Sequence, residues 1–380
     1  MKIAVNTRLL LPGKLEGIGW FTYETLKRIT QSHPEHEFLF LFDREYSEEF
    51  IFGDNVTPII VPLQARHPIL YYIWFEWLVP PILRKHKVDL FLSPDGYLSL
   101  QSEKPQLAVI HDINFEYYPR HLPWFERKYY RFFFPKFAEK ARRISTVSQF
   151  SKEDIIRHYE IEPEKIDVVY NGVSDVYKPV NETVKAATRK EFTNGNEYFI
   201  FIGSIQPRKN LAQLFKAFDA FKKANNTDIR LLIVGEKRWW TKAIEKAFSA
   251  MEFQDDVIFS GRLEQEDLSR ALASSLALVY VSFFEGFGIP IVEAMNCDVP
   301  VITSNVTSMP EVAGKAGVYV SPFDYQSIRE GMEKIAFDKE LVAELIAAGK
   351  EQRQIFSWDL TAEKLWSSIE TCVNEFKSIS

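Results

Sequence analysis

Two doubly wound α/β domains in tandem are the fold class that this 380-residue sequence predicts, and three observations carry the prediction. The length suits two domains of about 100–200 residues each. Short β-branched or aromatic runs alternate with stretches of helical periodicity, the pattern of βαβ units and parallel sheets. Several runs close on a small polar cluster (Ser93-Pro94, His111-Asp112, Ser148, Asn171-Gly172), and open α/β sheets gather ligands at the carboxyl ends of their strands.

The strand-like runs of the first half are Lys2–Asn6, Glu37–Phe42, Thr57–Val61, Asp89–Leu92, Gln106–Ile110, Arg143–Val147 and Lys165–Val169. Between the first two, Ile18, Phe21, Leu26 and Ile29 form one apolar face, which predicts a helix over Ile18–Thr30. From Ser174 to Asn196 the strand signal stops. Lys178-Pro179 and Thr193-Asn194-Gly195-Asn196 mark that stretch as an interdomain connector. A second series follows: Tyr198–Ile202, Ile229–Val234, Val257–Ser260, Ala277–Val281, Val299–Thr303 and Val318–Val320, with helical stretches at Leu211–Phe221 and Gln265–Ser274. The tail, Ala336–Phe376, reads as helices anchored by Trp358 and Trp366.

Hydrophobic residues at 46% and charged residues at 26% exclude disorder, collagen and coiled coil. A net charge of −6 argues against a dedicated nucleic-acid binder. Two cysteines, Cys297 and Cys372, make neither a disulfide framework nor a zinc site and fit a reducing compartment. Met1-Lys2-Ile3-Ala4-Val5 reads as a first strand, with no leader ahead of it. The best membrane-span candidate, His67 to Leu83, is broken by Pro68, Glu76 and Pro80-Pro81.

The segment Val279–Val299 carries the strongest functional signal. A buried run ends at Ser282, a loop follows with Gly286, Phe287 and Gly288, and Pro290 sits where a first helical residue belongs. Glycines let backbone amides approach a ligand, and a helix N-terminus favours negative charge. Glu285 lies in the loop and Glu293 about one turn into the helix; both can face one strand-end crevice. Carboxylates beside an anion-binding helix start suit a ligand with hydroxyls and phosphates, a nucleotide sugar. A glycine-rich turn with solvated glutamates is the plainer alternative.

After the second domain's first run, Pro207-Arg208-Lys209-Asn210 brings two cations to a loop-to-helix transition. They oppose the helix dipole unless an anion lies between, or else form an exposed surface pair. Thr303-Ser304-Asn305 through Pro310-Glu311-Val312 repeats strand, polar loop and helix start, and is expected to add hydroxyl and amide donors to the same cleft. In the first half, Gly17-Ile18-Gly19 is a glycine loop opening the first helix. It lies well past the first strand and lacks a third glycine, which counts against a nicotinamide site. His111 is either a satisfied buried histidine or a group at the ligand-bearing edge.

Together these residues resemble the retaining glycosyltransferase family 4, group 1 glycosyltransferases of GT-B architecture. That architecture has two Rossmann-like doubly wound domains facing a central cleft and a C-terminal helix crossing back to the first domain. The resemblance covers nearly the whole chain. Gly17-Ile18-Gly19 resembles the family's phosphate-side loop, His111-Asp112 its histidine at an N-domain strand end, and Tyr170-Asn171-Gly172-Val173 the stretch before the crossing. Pro207–Leu211 matches its basic donor-phosphate motif, Glu285–Glu293 its E-x7-E motif, and Ser304-Asn305 through Val312 the loop that follows. Ser204 stands where many members carry an arginine, and Arg208 is the candidate replacement.

The resemblance implies an acceptor-side domain over 1–175, joined by a helix at about 358–380, and a nucleotide-sugar-binding domain over 190–357. It implies transfer of a hexosyl unit, with a family-level lean to mannosyl, from a nucleotide diphosphate sugar to a glycan or lipid-linked acceptor hydroxyl. Retention at the anomeric carbon, cell-surface polysaccharide synthesis and a cytoplasmic place at the inner membrane face come with it.

Under the same resemblance Glu285, His111 and Lys209 are catalytic. Gly17, Gly19, Arg208, Lys209, Gly286, Phe287, Gly288, Glu293, Ser304 and Asn305 bind the donor. Glu285 would hold the sugar hydroxyls, Glu293 the ribose, His111 the sugar from the other domain, and Lys209 with Arg208 the diphosphate. No residue stands out as a nucleophile, so front-face displacement is favoured, with Asp112 in reserve. No Asp-x-Asp pair occurs, so neither a metal nor another cofactor is expected. The alternatives are a non-catalytic sugar-nucleotide-binding protein and a GT-B-shaped epimerase or phosphorylase, which product analysis separates.

Rings crowd Tyr71–Leu78 and Pro119–Phe137. Over 127–143, Arg127, Lys128, Arg131, Lys136, Lys140, Arg142 and Arg143 face a single acid, Glu139. Such a stripe suits docking on an anionic membrane surface to receive a lipid-linked acceptor. The alternative packs the rings in the core and leaves the cations as a solvated helix face.

Overall fold

Every strand the hydrophobic runs predict is present in the computed structural model, with ends moved by at most one or two residues. The structure describes residues 1–237 and 239–378, and the chain divides into two units, Met1–Gly172 with Ser357–Ser380 and Val173–Phe356. Each unit is one parallel sheet flanked by helices. The runs were legible because strands covered on both faces are apolar almost throughout, as in Phe-Leu-Phe-Leu-Phe at 38–42 and Tyr-Phe-Ile-Phe-Ile at 198–202.

The first sheet contains β1 (Lys2–Asn6), β2 (Glu37–Phe42), β3 (Val56–Ile60), β4 (Leu90–Ser93), β5 (Gln106–Val109), β6 (Arg143–Thr146) and β7 (Ile166–Val168), in the order β3-β2-β1-β4-β5-β6-β7. Its first helix, Gly17–Ser32, begins one residue before the predicted face and takes in both glycines of the Gly17-Ile18-Gly19 loop, which is therefore a first helical turn. Phe21, Leu26 and Ile29 are buried as predicted. The apolar stretch 68–85 folds as helix Pro68–Ile73, one π-helical turn Trp74–Leu78, and helix Val79–Lys85. Glu76 is buried in that turn, where it accepts from the backbone N–H of Leu100 and Gln101 at 2.9 and 3.0 Å. Among the described residues no helix is long and apolar enough to cross a membrane.

The last helix, Trp358–Lys377, belongs to this first unit. Ser357 caps it by accepting from Leu360 N at 3.1 Å. Its buried face includes Leu365, Ile369 and Cys372, Trp366 stacks on His33 at 3.7 Å, and Glu375 receives Arg143 at 2.8 Å. Gly172 is required where the helix begins, because a Cβ there would lie 2.2 Å from Trp358 N.

The second sheet contains β8 (Tyr198–Ile202), β9 (Arg230–Val234), β10 (Val257–Gly261), β11 (Ala277–Tyr280), β12 (Val301–Ser304) and β13 (Gly317–Val320), in the order β10-β9-β8-β11-β12-β13. This unit starts at Val173 and not near 190. Most of the supposed connector is a helix, Glu182–Thr193, capped by Asn181 accepting from Val184 N and ended by Asn194 in the left-handed conformation. Arg189 ties it to Ser274 O at 3.1 Å, inside the second unit. Of the turn residues that mark a connector, Asn194 is the C-cap of this helix, and Lys178-Pro179 lie just ahead of its N-cap Asn181.

Candidate active site

The second sheet reverses its strand order between β8 and β11. Ligands of open α/β sheets bind in the crevice at such a switch point. After β8 the chain makes a single 3-10 turn, Pro207–Lys209, and Asn210 at φ +63° then redirects it into the helix Leu211–Asn225. The Asn210 side chain donates to Val281 O at 2.9 Å and Pro322 O at 2.7 Å, fastening this loop to the one after β11. Phe283 N closes the same join by donating to Arg208 O at 2.9 Å.

That join brings three of the predicted residues together. Lys209 Nζ donates to Glu285 Oε1 at 2.7 Å, and Arg208 Nη1 lies 2.6 Å from Glu285 Oε2. Arg208 Nη1 also donates to Phe284 O at 2.6 Å. Lys209 and Glu285 are buried, and the Arg208 side chain is 16% exposed. Burial alone would push the Glu285 carboxyl up; the charges of Arg208 and Lys209 outweigh it and hold its pKa at about 2. Both cations meet the one carboxylate. The two cations are thus no exposed surface pair.

Tyr280 is a fourth member that sequence reasoning missed. Its hydroxyl accepts from Lys209 Nζ at 2.6 Å, and the ammonium stands 4.7 Å from its ring centroid. Its own proton is held firmly, chiefly by burial and then by the Glu285 charge. A signal existed: a lone tyrosine in the aliphatic run Ala277–Tyr280 must find a partner for its hydroxyl once buried.

Gly288 caps the helix Ile289–Asn296 at φ +104°, with Pro290 in its first turn as the sequence predicts. The loop Glu285–Gly288 is pinned from the β12 side. Ser308 Oγ donates to Glu285 O and Phe287 O, each at 2.9 Å, and Thr307 Oγ1 accepts from Glu285 N at 3.3 Å. Ser304 requires a correction: it is fully buried and its hydroxyl donates to Ser282 O at 2.7 Å, so it positions the β11 loop and presents no hydroxyl to a ligand. Asn305 is exposed just beyond it. Phe287 is buried with its ring edge-on to Phe356 at 5.5 Å.

Glu293 is half-buried, and its charge reaches Tyr280 of the Glu285 cluster. Burial raises its pKa to about 7, opposed by a hydrogen bond from Tyr177, the second residue missed from sequence. Tyr177 is buried in the supposed connector, where a large ring in a polar stretch was the available signal.

In the first unit, His111 follows β5. Its Nε2 lies 2.9 Å from Pro94 O, a carbonyl that can only accept, so that nitrogen carries the proton and Nδ1 is left as the acceptor. Burial lowers its pKa and keeps it neutral. Phe21, one turn into the helix that Gly17 and Gly19 open, meets the imidazole edge-on at 5.0 Å. Asp112 accepts from Asn114 N at 3.0 Å, closing a local turn just ahead of the short helix Asn114–Tyr117.

These two sheets, with a cation–carboxylate cluster at the second switch point and the last helix returned to the first unit, define the GT-B class of enzyme. Residues 15–176 match the family model described as Glycosyltransferase Family 4, and residues 181–352 the one described as Glycosyl transferases group 1. The chain belongs to the group 1, family 4 glycosyltransferases. It is 27% identical over 356 residues to O-antigen chain mannosyltransferase B of Escherichia coli, covering 91% of this chain and 93% of that protein. It is 27% identical over 295 residues to O-antigen chain mannosyltransferase RfbU of Salmonella typhimurium, covering 77% and 78%. Among solved structures, Anabaena Alr3699/HepE in complex with UDP and glucose superposes with a TM-score of 0.75 at 18% identity, over 98% of this chain and 100% of that one.

Proposed function

We propose that this glycosyltransferase moves a mannosyl unit from a nucleotide diphosphate sugar to a hydroxyl of a glycan or lipid-linked acceptor, with retention, in cytoplasmic synthesis of a cell-surface polysaccharide. The observation that carries the reading is the convergence of Arg208, Lys209 and Glu285 at the switch point of the second sheet. The names of the O-antigen mannosyltransferase relatives support the choice of sugar and product.

The difficulty of the reaction is charge: a diphosphate departs as the sugar becomes oxocarbenium-like. Lys209 and Arg208, with the amides of the Gly286–Gly288 loop, stabilise the leaving oxygens, as donors fixed in advance do at low dielectric. The bond from the anomeric carbon to the phosphate oxygen breaks while that to the acceptor oxygen forms on the same face, and the acceptor proton passes to the leaving phosphate. Glu285, ionised throughout the physiological range, accepts from the sugar hydroxyls, and Glu293 from the ribose. His111 contacts the donor sugar, and the first helix offers its N-terminus at Gly17 to phosphate, whereas Gly19 lies against Leu9 and Leu15 and makes room for packing. Asp112, whose Oδ1 accepts from both the backbone and the side-chain nitrogen of Asn114, does not serve as nucleophile. Charge neutralisation by side chains makes the reaction independent of divalent metal.

Assay of donor turnover and nucleotide binding in Lys209→Ala and Glu285→Gln tests the reading, with release of nucleotide diphosphate dependent on acceptor. Loss of one such donor is expected to raise the barrier by about 2.7–4 kcal/mol, roughly 10²–10³ in rate, with EDTA leaving the wild-type rate unchanged. Full activity in both folded variants would end the proposal.

A further inference from the structure

The turn between the first helix and β2 carries a group of side chains that the transfer chemistry does not use. His33 follows the helix Gly17–Ser32, and Glu35 and His36 come just before β2 begins at Glu37. The backbone of this turn is pinned. Asn55 Nδ2 donates to the carbonyls of Thr30, His33 and His36 at 3.0, 3.3 and 3.2 Å, and His36 N donates to His33 O at 3.2 Å. The rings are pinned as well. Trp366 of the last helix stacks on both imidazoles, 3.7 Å from His33 and 5.1 Å from His36, and the two imidazole planes lie within 11° of each other.

Three ligand-type atoms converge there. Glu35 Oε1 lies 3.8 Å from His33 Nδ1 and 3.4 Å from His36 Nε2, and the three atoms all fall within 4.8 Å of one another. Both spacings exceed the length of a charge-assisted hydrogen bond, about 2.7–2.9 Å. They are close to the edge of a tetrahedron of donors set around one ion: at about 2.0–2.2 Å from the centre, that edge is about 3.3–3.6 Å. Among the described residues this is the single group of three or more His, Cys, Asp or Glu side chains so placed.

We propose that His33, Glu35 and His36 form a zinc site, with Nδ1, Oε1 and Nε2 as ligands and water in the fourth position. Two imidazoles and a carboxylate suit zinc, whereas magnesium and calcium take oxygen ligands throughout. The Asn55 bonds and the indole stack fix the ligands before the ion arrives, so binding orders little that is not ordered already. Glu35 is 60% exposed, against 26% for His33 and 18% for His36, so the ion enters from solvent on the carboxylate side. The other nitrogen of His36, Nδ1, lies 3.0 Å from Met1 N. With the ion on Nε2 the ring proton sits on Nδ1 and is donated to the Met1 amine, and a proton leaves to solvent. The site stands at the amino edge of the first parallel sheet, where β2 begins, whereas His111 follows the carboxyl end of β5. Its zinc is therefore structural, tying the end of the first helix to the start of β2 against Trp366, and takes no part in glycosyl transfer. The missing Asp-x-Asp pair bears on the diphosphate and not on this turn.

Zinc titration of the full chain, free of any histidine tag and stripped with EDTA, tests the site by calorimetry and thermal melting. The wild type is expected to bind one zinc ion saturably and to melt a few degrees higher with it, because an ion held by the folded state alone shifts the unfolding equilibrium. Magnesium and calcium should do neither. His33→Gln with His36→Gln should abolish both binding and shift. Because those two rings pack on Trp366, Glu35→Gln is the second arm: its carboxylate is exposed, so it should melt as the wild type does without metal, yet bind zinc about tenfold more weakly or worse. Turnover well below the melting temperature should be the same with zinc and with EDTA. Lys209→Ala should bind zinc as the wild type does, so failure of the metal site and failure of the catalytic reading are separate results. No saturable zinc binding by the wild type, undiminished zinc affinity in Glu35→Gln, or an equal shift with magnesium would each overturn the proposal.

Discussion

At the switch point of the first sheet, between β1 and β4, Arg8 Nε meets Asp95 Oδ2 at 2.8 Å; at that of the second, between β8 and β11, two cations meet Glu285. Both crevices hold a buried ion pair beside aromatic rings. In the first, the Arg8 guanidinium lies 5.0 and 4.5 Å from the ring centroids of Tyr71 and Tyr97, and Asn6 donates to Asp95 Oδ1 at 2.8 Å. One cation answers one carboxylate there, and the rings seal it. Burial works against the charge on Arg8, but Asp95 and the surrounding tyrosines hold its proton more firmly than usual. In the second, two cations share one carboxylate. The first switch point thus sets one cation against one carboxylate, and the second brings two cations to one.

Breaking the first clamp should have the largest effect. Arg8→Met strands Asp95 in the core, and orphaning a buried partner costs about 3–5 kcal/mol; a fall in melting temperature and in soluble yield is expected, checked by calorimetry. Lys209→Ala at the second site should do the reverse, with a smaller fall in melting temperature, because Arg208 still answers Glu285, and a rate lower by roughly 10²–10³. A loss of folding there and of rate alone in Arg8→Met would exchange the two roles.

Tyr280→Phe sharpens the comparison. It keeps the ring beneath Lys209 and removes the hydroxyl; a hydrogen bond to a charged group is worth about 1.5–3 kcal/mol, so turnover should fall about tenfold or more with nucleotide binding little changed. Steady-state kcat and KM measure it.

The smallest effect concerns Glu293. Its folded pKa of about 7 lies above the ordinary 4.5, so its stabilising contribution is complete below about 4.5 and is lost as pH rises through about 7. Glu293→Gln has no such loss, and its melting temperature should gain on the wild type by a few degrees between acid and alkaline pH. Parallel melting curves from pH 5 to 9 would show that Glu293 does not titrate there. Glu285, held at about 2, keeps its stability above the ordinary carboxylate range and loses it only as pH falls toward 2, so it adds no slope in that window.

The strands and the Glu285–Gly288 loop were legible because they follow from local patterns: apolar runs for doubly covered strands, and glycine and proline at a helix start. The Arg208-Lys209 pair was visible as charge at a loop-to-helix transition, though not as partners of Glu285. Arg8 and Asp95 were passed over because neither sits in a motif; one follows β1 and the other β4, and only the crossover sets them side by side. The helix Glu182–Thr193 was missed because its cap residues, Asn181 and Asn194, are turn formers as well.

By itself the sequence determined two parallel sheets, the positions of their strand ends, and the inventory of cations, carboxylates and rings placed there. Tertiary structure decided which of these meet: that Ser304 faces the protein, that Tyr280 carries Lys209, that Arg131, Arg142 and Arg143 are engaged in pairs while Trp124, Phe125 and Phe132 stay exposed. The reason is range. Periodicity and turn chemistry act within a few residues, whereas the ion pair between Lys209 and Glu285 spans 76 positions and exists only because strand order in the sheet makes β8 and β11 neighbours.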